Sequence, residues 1–321
     1  MKRLATALGA LGLLLVVPTE SAQAQTWPQR SVRFLVSLGP GSGADLSARL
    51  LADRLTAKWK QPVVVENRPG GDAVVAINAF LSAKDDHTLL YTPTSSFTAH
   101  PYTLKKLPYD PGQMHPVARV SNTIVGLAVP GKSDIKSVKD LVGQIKARPN
   151  TFNYTTVTGM TDLIFEGYFK SAGLVITRVP YKDPVQAVTD LAEGRIQAYV
   201  AALAIQQAHI KSGRHRLIAV TNSERAAVFP DTPTVAQAGF PELSFDGLVG
   251  LFGTGNLATA ARSRIAADIR ELLKDPAIAS KLTATGQAVS PGTGEEFAKS
   301  LNAQRATLAA TAAKLGLKAA Q

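Results

Sequence analysis

Between the strand-like run Val32–Ser37 and a helical pattern from Leu46 onward, the chain reads Leu38-Gly39-Pro40-Gly41-Ser42-Gly43-Ala44-Asp45. A glycine turn in that place sets backbone N–H groups at a helix N-terminus, where aligned peptide dipoles favour an anion. Two chemistries fit. Gly39, Gly41 and Ala44, with Glu66 closing the next strand, satisfy the formal dinucleotide fingerprint, although Pro40 lacks an N–H where pyrophosphate would lie. The alternative is a small carboxylate, held by the N–H groups of Gly41, Ser42, Gly43 and Ala44 and by the Ser42 hydroxyl. Asp45 would repel an anion if it pointed inward, so its expected role is to stabilise the first helical turn or orient the loop.

Other chemistry lacks its parts. There is no cysteine, hence no disulfide, thiolate metal site or cysteine nucleophile. The five histidines, His87, His100, His115, His209 and His215, show neither HExxH nor HxH spacing, so no metal is expected. No GxSxG elbow is present, and nothing pairs a nucleophile with a base at a recognisable spacing. An enzyme is therefore not expected; one assembled from distant residues, or a dinucleotide-dependent one using residues 39–44, is the alternative. The 321 residues carry a formal charge of +11, but Lys and Arg are scattered and no basic run is interleaved with aromatics, which argues against nucleic acid. At 45% hydrophobic and 18% charged residues, disorder and fibrous repeats are excluded.

The elements that must position the loop alternate strand and helix. Strands are predicted at Val32–Ser37, Val63–Glu66 and Thr88–Thr92, with helices around Leu46–Trp59 and Ala73–Lys84 between them. A second series starts with strand Ile124–Val129 and helix Val138–Arg148, opened by a Ser137 cap. It continues with strand Phe152–Thr155, helix Leu163–Ala172, strand Ile176–Val179 and a helix from Val185, whose start is marked by an Asp183 cap and Pro184. Strand Ala198–Ala202, helix Ile205–Lys211 and strand Leu217–Thr221 complete it. A strand Leu248–Phe252 and three helical stretches within 258–315 follow. The fold class is α/β: two lobes, each a mainly parallel sheet flanked by helices. Ligand is expected beyond the carboxyl ends of the strands.

At the N-terminus, Lys2 and Arg3 precede the apolar run Leu4–Val17, a Pro18 break and the triplet Ala22-Gln23-Ala24. The run is shorter than the about 20 residues that span a bilayer. A signal peptide of residues 1–24 is expected, giving a mature, unlipidated chain in the periplasm.

Trp27-Pro28-Gln29-Arg30, the loop Ser37–Asp45, Pro62–Gly70, Leu107–Pro111, Val179–Lys182, Pro230–Thr234 and Ala238–Pro241 together resemble the Bug-type receptors, extracytoplasmic solute-binding proteins of tripartite tricarboxylate transporters. The resemblance covers the mature chain in order. The strand series divide the chain into residues 25–123 with 246–321 as one lobe and 124–245 as the other, and the resemblance implies a hinged, periplasmic-binding-protein-like fold that closes on a carboxylate and passes it to membrane subunits. The chain is expected to act as a monomer without a cofactor.

The resemblance also implies that the first loop (Leu38, Gly39, Gly41, Ser42, Gly43, Ala44) and a Ser/Thr-rich loop of the second lobe clamp the carboxylate. That second loop is Tyr154–Asp162 here, with hydroxyls at Thr155, Thr156, Thr158 and Thr161 that equally suit a strand end and helix cap. Thr94 and Ser95 follow a strand and are placed at the ligand edge; Tyr181 is expected to reach the cleft, with Asp183 a cap. Arg68 has the fork for a carboxylate, but its neighbours Asn67, Pro69 and Gly70 favour a structural turn. Ala201 stands where the family commonly has an acid. Its apolar surroundings favour a dicarboxylate or an aromatic acid over an amino acid.

Overall fold

The computed structural model describes residues 27–157, 159–181 and 184–320; the expected leader, Thr158 and Asp183 lie outside them. The first lobe opens with β1 (Val32–Val36), α1 (Gly43–Trp59), β2 (Val63–Asn67), α2 (Val74–Ala83), β3 (Thr88–Pro93), the short α3 (His100–Thr103) and β4 (His115–Thr123). The chain then enters the second sheet through β5 (Val125–Pro130), α4 (Val138–Ala147), β6 (Asn153–Thr156), α5 (Gly159–Ser171) and β7 (Thr177–Arg178). Next come α6 (Pro184–Ala192), β8 (Ala198–Ala202), α7 (Leu203–Lys211) and β9 (His215–Val220). It returns through β10 (Gly247–Gly253), α8 (Thr259–Leu272), α9 (Pro276–Ala284), β11 (Gln287–Thr293) and α10 (Gly294–Leu315).

Two sheets result, ordered β11-β4-β10-β3-β1-β2 and β7-β6-β8-β5-β9. Both are mixed. In the first, β1 is parallel to β2 and β3, whereas β10 runs against both β3 and β4. In the second, β6 is parallel to β7 and β8, and β5 runs against both β8 and β9. β5 and β10 are the reversed strands by which the chain arrives from the other lobe, and β11, two helices after β10, runs with β10 and against β4. A crossover helix keeps successive strands parallel, and neither β5 nor β10 is preceded by one.

Burial on both faces explains the apolar strands. On β1, Val32, Phe34 and Val36 pack with Leu51 and Leu55 of α1 and Ile265 and Ile269 of α8, while Leu35 turns to Ile77 and Phe80 of α2. On β8, Val200 joins Tyr154 and Phe165, and Tyr199 and Ala201 pack with Val188 and Leu191 of α6. Ser137 caps α4 as read from the sequence, its Oγ accepting the Asp140 N–H at 3.0 Å. The last helix is shared by the lobes. Phe297 and Leu301 pack on Phe252 of the first sheet, whereas Leu308 packs with Met160 and Ile164 of α5.

Candidate functional site

A cleft of about 540 Å³ opens between the sheets, at the ends of β1, β3, β6 and β8 and the starts of α1, α5 and α7. Leu38, Gly39, Gly41, Ser42, Gly43, Ala44, Ser95, Thr161 and Ala201 line it, as placed by sequence.

The first loop is held from behind. Asp45, 2% exposed, accepts the Gly41 N–H at 2.9 Å through one oxygen and the Asn67 side-chain amide at 2.9 Å through the other, with the Arg49 guanidinium at 3.0 Å. Burial works to raise its pKa, but the Gly41, Asn67 and Arg49 bonds outweigh that and hold the carboxyl below the ordinary value. Asn67 also donates to the Leu38 carbonyl at 2.9 Å, tying the loop to the end of β2. Ser42 caps α1: its Oγ accepts the Asp45 N–H at 3.2 Å, and its carbonyl accepts Leu46 N–H at 2.9 Å.

This geometry corrects the four-amide reading of the loop. The Gly41 N–H is engaged by Asp45, and the Ser42 N–H donates to the Gly39 carbonyl at 3.3 Å. Gly43 and Ala44, whose amides precede the helix's own i→i−4 bonding, line the cleft. The same observation disfavours pyrophosphate in the turn, since a resident carboxylate already occupies the Gly41 donor. Glu66, the acid of the fingerprint, is ion-paired with Arg33 at 3.7 Å and accepts from Arg68 Nε at 2.6 Å. Arg68 therefore serves a turn and is not brought to the cleft.

Four other residues placed at the ligand by sequence have internal partners instead. Thr94, fully buried, donates to Gln304 Oε1 at 2.6 Å. Thr155 is buried beneath the strand end at 1% exposure. Thr156 donates to Asp162, which Arg178 also holds through two bonds of 2.6 Å. Tyr181 donates to Asp190 Oδ2 at 2.6 Å; burial and that carboxylate push its pKa up to about 12. Each was chosen for its hydroxyl, and a hydroxyl near a strand end satisfies a neighbouring group as readily as a ligand.

Sequence reasoning missed Thr123, Val125, Phe245 and Gln287, which line the cleft where the chain passes between the lobes. Gln287 is fixed, accepting from Ser121 Oγ at 3.0 Å and donating to Thr123 Oγ1 at 3.2 Å. The recoverable signal was positional: the chain crosses between the two series twice, and both crossings border the cleft. Among the described residues, no group of three or more His, Asp or Glu side chains could hold a metal ion, and no helix is long and apolar enough to cross a membrane.

Comparison with known proteins gives this geometry its relatives. The chain is 34% identical over 295 residues to a UPF0065 protein of Bordetella bronchiseptica, covering 91% of this chain and 88% of that one. It is 33% identical over 242 residues to protein BugT of Bordetella pertussis, covering 73% and 74% respectively. A solved structure described as a periplasmic transporter superposes with a TM-score of 0.78 at 30% identity, over 91% of this chain and 99% of that one. R. palustris Rpa4515 with adipate superposes with a TM-score of 0.79 at 26% identity, over the same shares. Residues 47–317 match the family model of the tripartite tricarboxylate transporter family receptor, TctC, and the chain belongs to that family of two-lobed solute receptors.

Proposed function

We propose that the protein is a periplasmic receptor that closes its lobes on a carboxylate-bearing small molecule and delivers it to the membrane subunits of a tripartite tricarboxylate transporter. The observation that carries this reading is the cleft itself, where the Gly43 and Ala44 amides, Ser42 and Ser95 face the aliphatic wall Val200, Ala201 and Ile205. Preorganised neutral donors at a helix N-terminus suit one carboxylate head, and the opposite wall suits an apolar body. Citrate or a sugar acid would bring polar groups that this wall leaves without partners. The relative solved with adipate supports a carboxylate, and the expected leader supports export.

A thermal-shift panel tests the reading with adipate, hexanoate, benzoate, citrate, glucose and NAD. Ligand at a hundred times its dissociation constant stabilises the folded state by about 2.7 kcal/mol, which for a chain of this length raises Tm by about 4 °C. A shift with the simple carboxylates is expected. A shift with NAD alone, or with glucose alone, would overturn the receptor.

A further inference from the structure

The polar side chains lining the cleft differ in whether their polarity can turn. No Asp, Glu, Lys or Arg is among the described lining residues. The hydroxyls of Ser95 and Ser96, 9% and 1% exposed, belong to the lining and have no hydrogen-bond partner among the described residues. A hydroxyl rotates to give or to accept, so these two suit either kind of ligand group. Gln287 lacks that freedom.

A side-chain amide offers two hydrogens on nitrogen and two lone pairs on oxygen. Gln287, 2% exposed, commits its oxygen within the chain: Oε1 accepts Ser121 Oγ at 3.0 Å and Thr123 Oγ1 at 3.3 Å. Of the two Nε2 hydrogens, one goes to Thr123 Oγ1 at 3.2 Å, and the other has no acceptor among the described residues. Nε2 is also the atom packed on Gly43, 2.6 Å from where a Cβ of that residue would stand, and Gly43 and Gln287 both line the cleft. The unclaimed hydrogen is thus set beside the first residue of α1, at the helix end whose dipole favours an anion. A buried N–H without an acceptor is costly, and a ligand oxygen placed there removes that cost.

We infer that Gln287 is a ligand-binding residue that donates to the solute's carboxylate and, with no lone pair to offer, makes the cleft reject α-amino acids in favour of the unsubstituted acids. The inference rests on the carboxylate-receptor reading and narrows it. An ammonium group on the carbon next to the carboxylate would lie against the Nε2 hydrogen, donor against donor, with no carboxylate among the described lining residues to neutralise it. Ser121 lies behind Gln287, 0% exposed and outside the cleft lining, so it holds the amide in this orientation without meeting the ligand.

Hexanoate and 2-aminohexanoate differ only by that ammonium group, so calorimetric titration of both at pH 8 reads the selection as a ratio of affinities. The wild-type protein is expected to bind hexanoate about thirtyfold more tightly. Gln287→Glu keeps the shape but turns a carboxylate toward Gly43, which repels the solute's carboxylate and attracts its ammonium; the ratio should narrow about tenfold. Gln287→Met removes the donor without adding a charge and should narrow it about threefold. Ser121→Ala loosens Gln287 from behind and should leave the ratio unchanged, which separates a contact with ligand from mere support of α1. A ratio unmoved in both Gln287 variants, one narrowed as far by Ser121→Ala, or 2-aminohexanoate bound as tightly as hexanoate by the wild type overturns the inference and leaves the receptor reading standing. Failure of every carboxylate in the thermal-shift panel to bind overturns both.

Discussion

The turn after β1 and the turn after β6 each lead a strand into a helix, and each has an aspartate in the first helical turn, Asp45 and Asp162. Asp45 reaches back into its own loop to take the Gly41 N–H, and it is 2% exposed. Asp162 turns to Arg178, with Thr156 as a further donor. The first arrangement leaves Gly43 and Ala44 facing the cleft; the second engages its hydroxyl, and Asp72 takes the Gly159 amide. The two regions thus differ in what they bring to the cleft: a donor wall at the start of α1, and at the start of α5 Val157 and Thr161 beside the aliphatic wall of Val200, Ala201 and Ile205. The position of an anion site depends on which amides the surrounding carboxylates leave open, not on the presence of a glycine turn.

The largest change is expected from breaking the aliphatic wall. Ala201 is 2% exposed beside Val200, and Ala201→Asp would place a carboxylate there without a donor. An uncompensated buried charge costs about 3–5 kcal/mol, so the urea midpoint should fall sharply and carboxylate binding should be lost. A midpoint within error of the wild type would show that the wall is wetter than its side chains imply.

Next comes the anchor of the donor wall. Asp45→Ala strands the Gly41 N–H and the Asn67 amide and leaves Arg49 without its carboxylate, for a loss of about 2–3 kcal/mol. Asp45→Asn retains an acceptor and should lose less. The wild type carries a pH signature as well. The folded pKa of Asp45 is depressed, so its contribution is present above the unfolded value of about 3.9 and is lost as pH falls through the folded value. Urea titrations from pH 5 to pH 3 should therefore show a steeper decline for the wild type than for Asp45→Asn, and parallel curves would contradict this account.

The alternation of strands and helices and the place of the glycine loop were legible because β-branched runs such as Val63–Val65 and helical apolar spacing such as Leu51, Leu55 and Trp59 record burial directly. β4 and β11 were not. His115–Thr123 mixes Arg119 and Asn122 with apolar residues, and Gln287–Thr293 contains Pro291 and Gly292 at a register shift on a sheet edge. The carboxylate donors were only half legible. A sequence locates a turn, but whether Asp45 faces its own Gly41 or solvent is decided by Asn67 and Arg49, brought in from β2 and the next turn of α1.

A smaller effect tests how closely the donor wall is packed. A Cβ on Gly43 would lie 2.6 Å from Gln287 Nε2 and 3.2 Å from the Thr285 carbonyl. Gly43→Ala must therefore push Gln287 off Ser121 and Thr123, with an expected loss of about 1–2 kcal/mol. Helix propensity alone favours alanine over glycine by up to about 1 kcal/mol, so a stabilised variant would mean that Gln287 moves freely.

The smallest effect separates the two loops most cleanly. Ser42→Ala removes the α1 cap, and Thr156→Val removes the hydroxyl that Asp162 accepts; each should cost about 1 kcal/mol of stability. Their effects on binding should differ. Ser42 lines the cleft and orients the turn that presents the Gly43 and Ala44 amides, so its loss should weaken carboxylate binding about fivefold, the equivalent of about 1 kcal/mol. Thr156 donates within its own lobe and does not line the cleft, so Thr156→Val should leave affinity unchanged. Calorimetry with hexanoate on the two variants reads this directly: equal losses would mean that the second loop takes part in holding the carboxylate, and that the division into a donor wall and an aliphatic wall is wrong.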